Sequence, residues 1–180
     1  MSKKVVKIDD FNTNDITLPM PEKTDTKLRF SKAELPLIQT SEMTYSYYDD
    51  NLELLCNPHH ADTIHQIDES ICTTLSNNSE AWFGKHITYD QIERMFRPTL
   101  QGGKNPRQIL KTFDLNKKQF KTFDTNTKPT DKLPPSGSAI FIIKLDGVKF
   151  EEKVCETQWS VVQAKECLPP TTITQPMFVN

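Results

Sequence analysis

No stretch of this sequence approaches the ~18 consecutive apolar residues of a membrane-spanning helix, so no transmembrane segment is expected. The start, MSKKVVKIDDF, carries lysines but no apolar core, and so does not read as a signal peptide. Cys56, Cys72, Cys155 and Cys167 form no C-x-x-C pair. Without a secretion signal they read as reduced thiols of a reducing compartment. Asn77-Asn78-Ser79 matches a glycosylation sequon, which is irrelevant in a chain that is never secreted. Hydrophobic residues make up 36% of the chain, against ~45–50% in globular chains when glycine is also counted. A core is therefore expected, with part of the chain outside it.

Catalytic signatures are missing too. No G-x-S-x-G surrounds a serine. Gly102-Gly103-Lys104 lacks the first glycine and the hydroxyl residue of a phosphate loop. Cys56, His59, His60, His65 and Cys72 are the one metal-like cluster, but no paired spacing brings four ligands to a tetrahedron. The expectation is a non-enzymatic protein with no cofactor and no metal.

The 180 residues suit one domain. Residues 1–41 carry Pro19, Pro21 and Pro36, and residues 168–180 carry Pro169, Pro170 and Pro176. Proline removes a ladder donor and disfavours helix, so both ends read as extended arms around a core domain of residues 42–167. Charge is segregated. Ser41 to Glu80 holds eight acids and no Lys or Arg, while Lys104 to Lys132 holds eight bases against three acids. A local excess of that size can attract a polyanion although the net charge is −2.

Two helices are predicted. The first runs from about Pro58 to Ser76, with Asn57 as cap, Pro58 at the first position, and Ile64, Ile67, Ile71 and Leu75 as its buried stripe. The run SNNSE then breaks it. The second, near residues 88–97, opens on a capping box at Thr88 and Gln91, flanked by Ile87 and Ile92 as a hydrophobic staple. Pro98 ends it.

The rest reads as strands. Gln108–Phe113 and Gln119–Phe123 form an expected basic hairpin, and the tetrapeptide KTFD occurs in each half. Ala139–Leu145, then Asp146-Gly147, then Val148–Phe150 predicts a central strand buried on both faces, turning back through a type I′ turn. Thr157–Lys165 closes the fold, and Leu28–Phe30 and Thr44–Leu55 can add strands upstream. The fold class is mostly β (α+β), an OB-like barrel or small β-sandwich with a two-helix insertion.

Single-stranded DNA binding needs a basic surface and exposed aromatic faces on which bases stack. Lys111, Lys117, Lys118 and Lys121, with Phe120 and Phe123, supply both residue types on the expected hairpin. The competing reading places the phenylalanines in the core and the lysines in water.

The chain from Leu35 to Lys165 resembles a set of small uncharacterised proteins of nucleocytoplasmic large DNA viruses. The likeness is carried by Leu37–Thr40, by Leu75 with Asn78-Ser79-Glu80-Ala81-Trp82-Phe83-Gly84-Lys85, by Ile140–Phe150, and by Trp159–Lys165. In its order of elements, with Ser136-Gly137-Ser138-Ala139 and Val161-Val162-Gln163, it is also similar to phage and viral single-stranded DNA-binding proteins with an OB-type barrel. Those proteins often end in an acidic tail, whereas Leu168–Asn180 has no charged side chain. The resemblances imply a viral protein of the host-cell cytoplasm or viral factory that binds single-stranded DNA. The alternative is a minor capsid or other virion protein that contacts capsid neighbours through its arms.

Overall fold

The computed structural model describes residues 4–168. The elements run β1 (Val5–Lys7), β2 (Glu22–Lys23), β3 (Leu28–Lys32), β4 (Leu37–Tyr48), β5 (Asn51–Leu55), α1 (Pro58–Phe83) and α2 (Tyr89–Met95). They continue β6 (Phe96–Arg97), β7 (Leu100–Gln101), β8 (Arg107–Lys111), β9 (Lys121–Phe123), β10 (Pro129–Thr130), β11 (Ser136–Glu151) and β12 (Val154–Glu166). Five strands close a ring: β4 pairs with β5, β5 with β8, β8 with β12, β12 with β11, and β11 with β4. Only the β8–β12 contact in this ring is parallel. Of the two expected architectures this is the OB-like barrel and not the sandwich, with the two helices inserted between ring strands β5 and β8.

Strand alternation builds the interior. Met43 and Tyr45 on β4, Leu52 and Leu54 on β5, Leu110 on β8, Phe141, Ile143 and Leu145 on β11, and Trp159 and Val161 on β12 are all buried. Tyr45 meets Phe141 edge-on at 5.5 Å and its hydroxyl donates to the Pro134 carbonyl at 3.2 Å. Burial pushes the Tyr45 phenol up to about 12. Ile140 and Ile142 are only half-buried, so the apolar run of β11 has one fully buried face rather than two.

Both helix starts match their sequence signals. The Asn57 side chain accepts from the His60 amide, and Thr88 and Gln91 make a reciprocal capping box. Ile64, Ile67, Ile71 and Leu75 are fully buried and join the same core as the barrel. However, α1 continues through SNNSE to Phe83 and stops at Gly84, whose left-handed φ of 71° suits a glycine C-cap. The polar run stays helical because its side chains find partners. Asn78 Nδ2 donates to the Thr74 carbonyl at 2.8 Å, and buried Ser79 Oγ accepts from the Ile87 amide at 2.8 Å.

Asp146-Gly147 does not form the expected turn. β11 runs through it to Glu151, and the reversal into β12 falls at Glu152, which takes a left-handed φ of 50°. The dipeptide marks an irregularity in the β11–β12 register instead. Glycine is needed at 147 because the paired strand β3 approaches closely there: a Cβ would lie 2.2 Å from the Ser31 carbonyl oxygen and 2.5 Å from the Phe30 ring.

Residues 4–41 are not an arm outside the core. β1 pairs with β4, β3 pairs with β11, and Ile8, Leu18, Ala33 and Ile38 are buried. The segment is extended, but it lies along the barrel. Its prolines break the periodicity that would have revealed short strands, yet Pro19 still contributes a carbonyl, which accepts from Ser31 Oγ at 2.6 Å. The expected C-terminal arm, apart from Leu168, lies outside the described residues.

Candidate nucleic-acid interface

The basic segment folds into two successive turns of the same design. Asp114 Oδ1 accepts from the amides of Asn116 and Lys118 at 2.8 and 3.0 Å, and Asp124 Oδ1 accepts from those of Asn126 and Lys128 at 2.9 and 2.8 Å. Lys117 and Thr127 take the left-handed position, with φ of 58° and 64°. The last residue of each KTFD thus opens an Asp-x-Asn-x-Lys stretch, an Asx-type turn that the sequence carries in plain view. The expected hairpin of 108–113 with 119–123 exists only at its tip, through the Phe113–Gln119 bridge and the Phe120 amide donating to the Thr112 carbonyl at 3.2 Å. Beyond it β8 and β9 do not pair with each other. Both run parallel to β12, β8 at Ser160 and β9 at Gln163–Lys165.

This arrangement opens a groove of about 480 Å³ between the first turn, the ends of β3 and β4, and the outer faces of β11 and β12. Lys118, Lys121 and Phe120 line it, joined by Lys32 from β3 and Lys144 from β11. Among the described residues, Lys32, Lys118 and Lys121 have no carboxylate within ion-pair distance. Lys144 is partly buried and paired with buried Asp146 at 2.6 Å. Asp114, the acid in the lining, spends one oxygen on the turn amides.

The six residues singled out from sequence therefore separate. Lys118, Lys121 and Phe120 come together. Phe120 is half-buried and meets Tyr47 edge-on at 6.2 Å, so one part of its ring packs on the core while another borders the groove. Lys117 is exposed at the turn beside Lys118 but does not line the groove. Lys111 is exposed on β8, with its Nζ donating to Asn51 Oδ1 at 2.9 Å. Phe123 is half-buried, held in register between Pro129 of β10 and Lys165 of β12, and is outside the groove lining. Lys32 and Lys144 were not singled out. Lys144 did leave a signal: it is the one charge inside the apolar run Ala139–Leu145.

The cysteines and histidines of the metal-like cluster go elsewhere. His59 contacts Asp9, His65 contacts Glu69, and His60 is buried against Gln108 at 2.7 Å. Burial pushes the Cys56 thiol up to about 11 and those of Cys72 and Cys155 up to about 12, which holds them protonated and poorly nucleophilic.

The model of a family described as Family of unknown function (DUF5871) matches residues 44–176. Among curated proteins nothing matches the sequence. Among solved structures, the chain is similar to the single-stranded DNA-binding protein from bacteriophage Enc34. The identity is 11%, over 91% of this chain and 96% of that one, with a TM-score of 0.49. The same phage protein in complex with ssDNA gives 10% identity over 82% and 94%, with a TM-score of 0.48. The gp2.5 single-stranded DNA-binding protein encoded by bacteriophage T7 gives 11% over 80% and 98%, with a TM-score of 0.43.

Proposed function

This chain belongs to the family of unknown function DUF5871, and we propose that it binds single-stranded DNA in the groove bordered by Lys32, Lys118, Lys121 and Phe120. One observation carries the reading: three lysines without ion-pair partners among the described residues share a groove with a half-exposed phenyl ring, on the outside of an OB-like barrel. Lysines that track a backbone and a ring that stacks a base are the two parts such binding needs. A ring can stack only on a base whose face is free, so single strands should be preferred to duplex.

The test is fluorescence anisotropy with a labelled oligo-dT over a salt series. Each lysine that neutralises a phosphate contributes about −0.7 to the slope of log affinity against log salt, so three imply a slope near −2. Lys118→Ala with Lys121→Ala should bring the slope to roughly −0.7 by the same rule. Phe120→Ala should weaken binding by ~1–3 kcal/mol and leave the slope alone, because stacking releases no ions. No binding by the intact chain in about 50 mM salt, where attraction is weakly screened, would sink the reading.

A further inference from the structure

The molecule has a second cationic surface, which shares no lining residue with the groove. Strand alternation points Lys32 and Arg29 to opposite faces of β3. Lys32 borders the groove, and Arg29 borders a cavity of about 310 Å³ between the β2–β3 turn, the end of α1 and α2. Its floor is apolar. Phe83 from the last turn of α1 rests on Phe150 with ring centres 5.5 Å apart, and Ile92, Met95 and Val154 complete it. Its rim is cationic: Lys23, Arg29 and Lys85 are exposed and have no ion-pair partner among the described residues. Of the two acids there, Glu152 is neutralised by Lys27 at 2.9 Å and Asp25 accepts from Thr26. An adjoining depression adds His86 and Arg94 beside Lys85.

These features select the occupant. The volume is at the bottom of the ~300–1,000 Å³ range of small-molecule sites, so it suits one large anchor rather than an enclosed ligand. An apolar floor offers nothing to read a base edge or a sugar. β2 carries Lys23 and is the last strand on its side of the sheet, so its outer backbone groups are open to an added strand. We propose that this cavity docks an acidic peptide segment of a partner protein. One aromatic or large aliphatic side chain sits on Phe83 and Phe150, and carboxylates meet Lys23, Arg29 and Lys85. The proposal is independent of DNA binding in the groove.

The experiment uses the full chain and the fluorescein-labelled peptide Asp-Glu-Asp-Phe-Glu-Leu-Asp, read by anisotropy. Replacing the peptide's Phe and Leu by Ser should weaken binding about tenfold or more, as should Arg29→Glu with Lys85→Glu in the protein, a change of roughly 1.4 kcal/mol. Both residues are exposed, so the variant should fold; an unchanged melting curve checks this. Excess oligo-dT should leave the peptide bound. The proposal fails if the serine peptide binds equally well, if the double variant binds normally, if oligo-dT displaces the peptide, or if no binding appears below about 1 mM.

Discussion

Asp68 makes stability depend on pH in a direction opposite to that of ordinary paired carboxylates. It sits on the buried side of α1 and accepts from the Thr99 amide at 2.8 Å and the Thr99 hydroxyl at 2.6 Å; that hydroxyl also contacts Thr157 Oγ1 at 2.6 Å. Burial pushes its carboxyl up from 3.8 to about 6, with the Thr99 hydrogen bonds pulling the other way. A carboxyl whose folded pKa is raised is protonated more readily folded than unfolded. Its contribution therefore improves as pH falls through about 6, and at neutral pH the fold carries the full penalty of a buried anion. Linkage between these two values gives about 1–2 kcal/mol of gain from pH 7.5 to pH 5, and about 3 kcal/mol in the fully acid limit.

His60 works against it. Its burial lowers the imidazole pKa, so its contribution is full above 6.5 and is lost as pH falls. The wild-type profile alone is thus a poor test, and the difference between wild type and Asp68→Asn is the useful quantity, because His60 cancels. Asparagine keeps the geometry: Oδ1 accepts from the Thr99 amide, Nδ2 donates to the Thr99 hydroxyl, and that hydroxyl turns toward Thr157. In urea denaturation the variant's stability relative to wild type should be about 1–2 kcal/mol more favourable at pH 7.5 than at pH 5. An equal difference at the two pH values, or one of opposite sign, would refute the assignment of Asp68 as the raised group.

Other perturbations follow from single contacts. Gly147→Ala should destabilise by about 1–3 kcal/mol, because its Cβ must displace the β3 backbone at Ser31; a variant as stable as wild type in chemical denaturation would count against that close approach. Thr88→Ala should cost about 0.5–2 kcal/mol and Thr88→Ser much less; equal losses would mean that the capping box contributes nothing. Ile71→Ala, in the fully buried stripe of α1, should cost ~2–5 kcal/mol, and a loss below ~0.5 kcal/mol would show that the helix does not dock as described.

The helix starts were legible because a cap is a local device: Asn57-Pro58 and Thr88 with Gln91 act on amides three residues away. The end of α1 was not legible, because Ser79 is satisfied by Ile87, across the loop that follows. Asp146-Gly147 misled for a related reason. Positive φ at a turn and close approach of another strand both demand glycine, and only the position of β3 tells them apart. The N-terminal strands were hidden by their shortness: β1 is three residues and β2 two, too few for alternation to register. At the groove, composition found the basic segment but not its companions. Lys32 and Lys144 arrive from β3 and β11, and their convergence with Lys118 is a product of barrel closure.

A net charge of −2 is compatible with binding a polyanion because the acids and bases occupy different parts of the barrel. The acid-rich stretch from Ser41 to Glu80 becomes the second half of β4, β5 and most of α1, and several of its carboxylates are already engaged: Glu53 with Arg107, Glu69 with His65, Asp68 with Thr99. The groove takes its lysines from the β8–β9 connection, β3, β9 and β11. At 0.1 M salt the screening length is about 10 Å, so a phosphate in the groove would sense the lysines it touched and little of acids more than that distance away. What governs attraction is then the count of lysines within reach that lack a carboxylate. For the groove that count rests on how the strands close rather than on the composition of any one segment: Lys118 is held by a turn whose own acid points its oxygen at backbone amides, and Lys32 is set beside it by the pairing of β3 with β11.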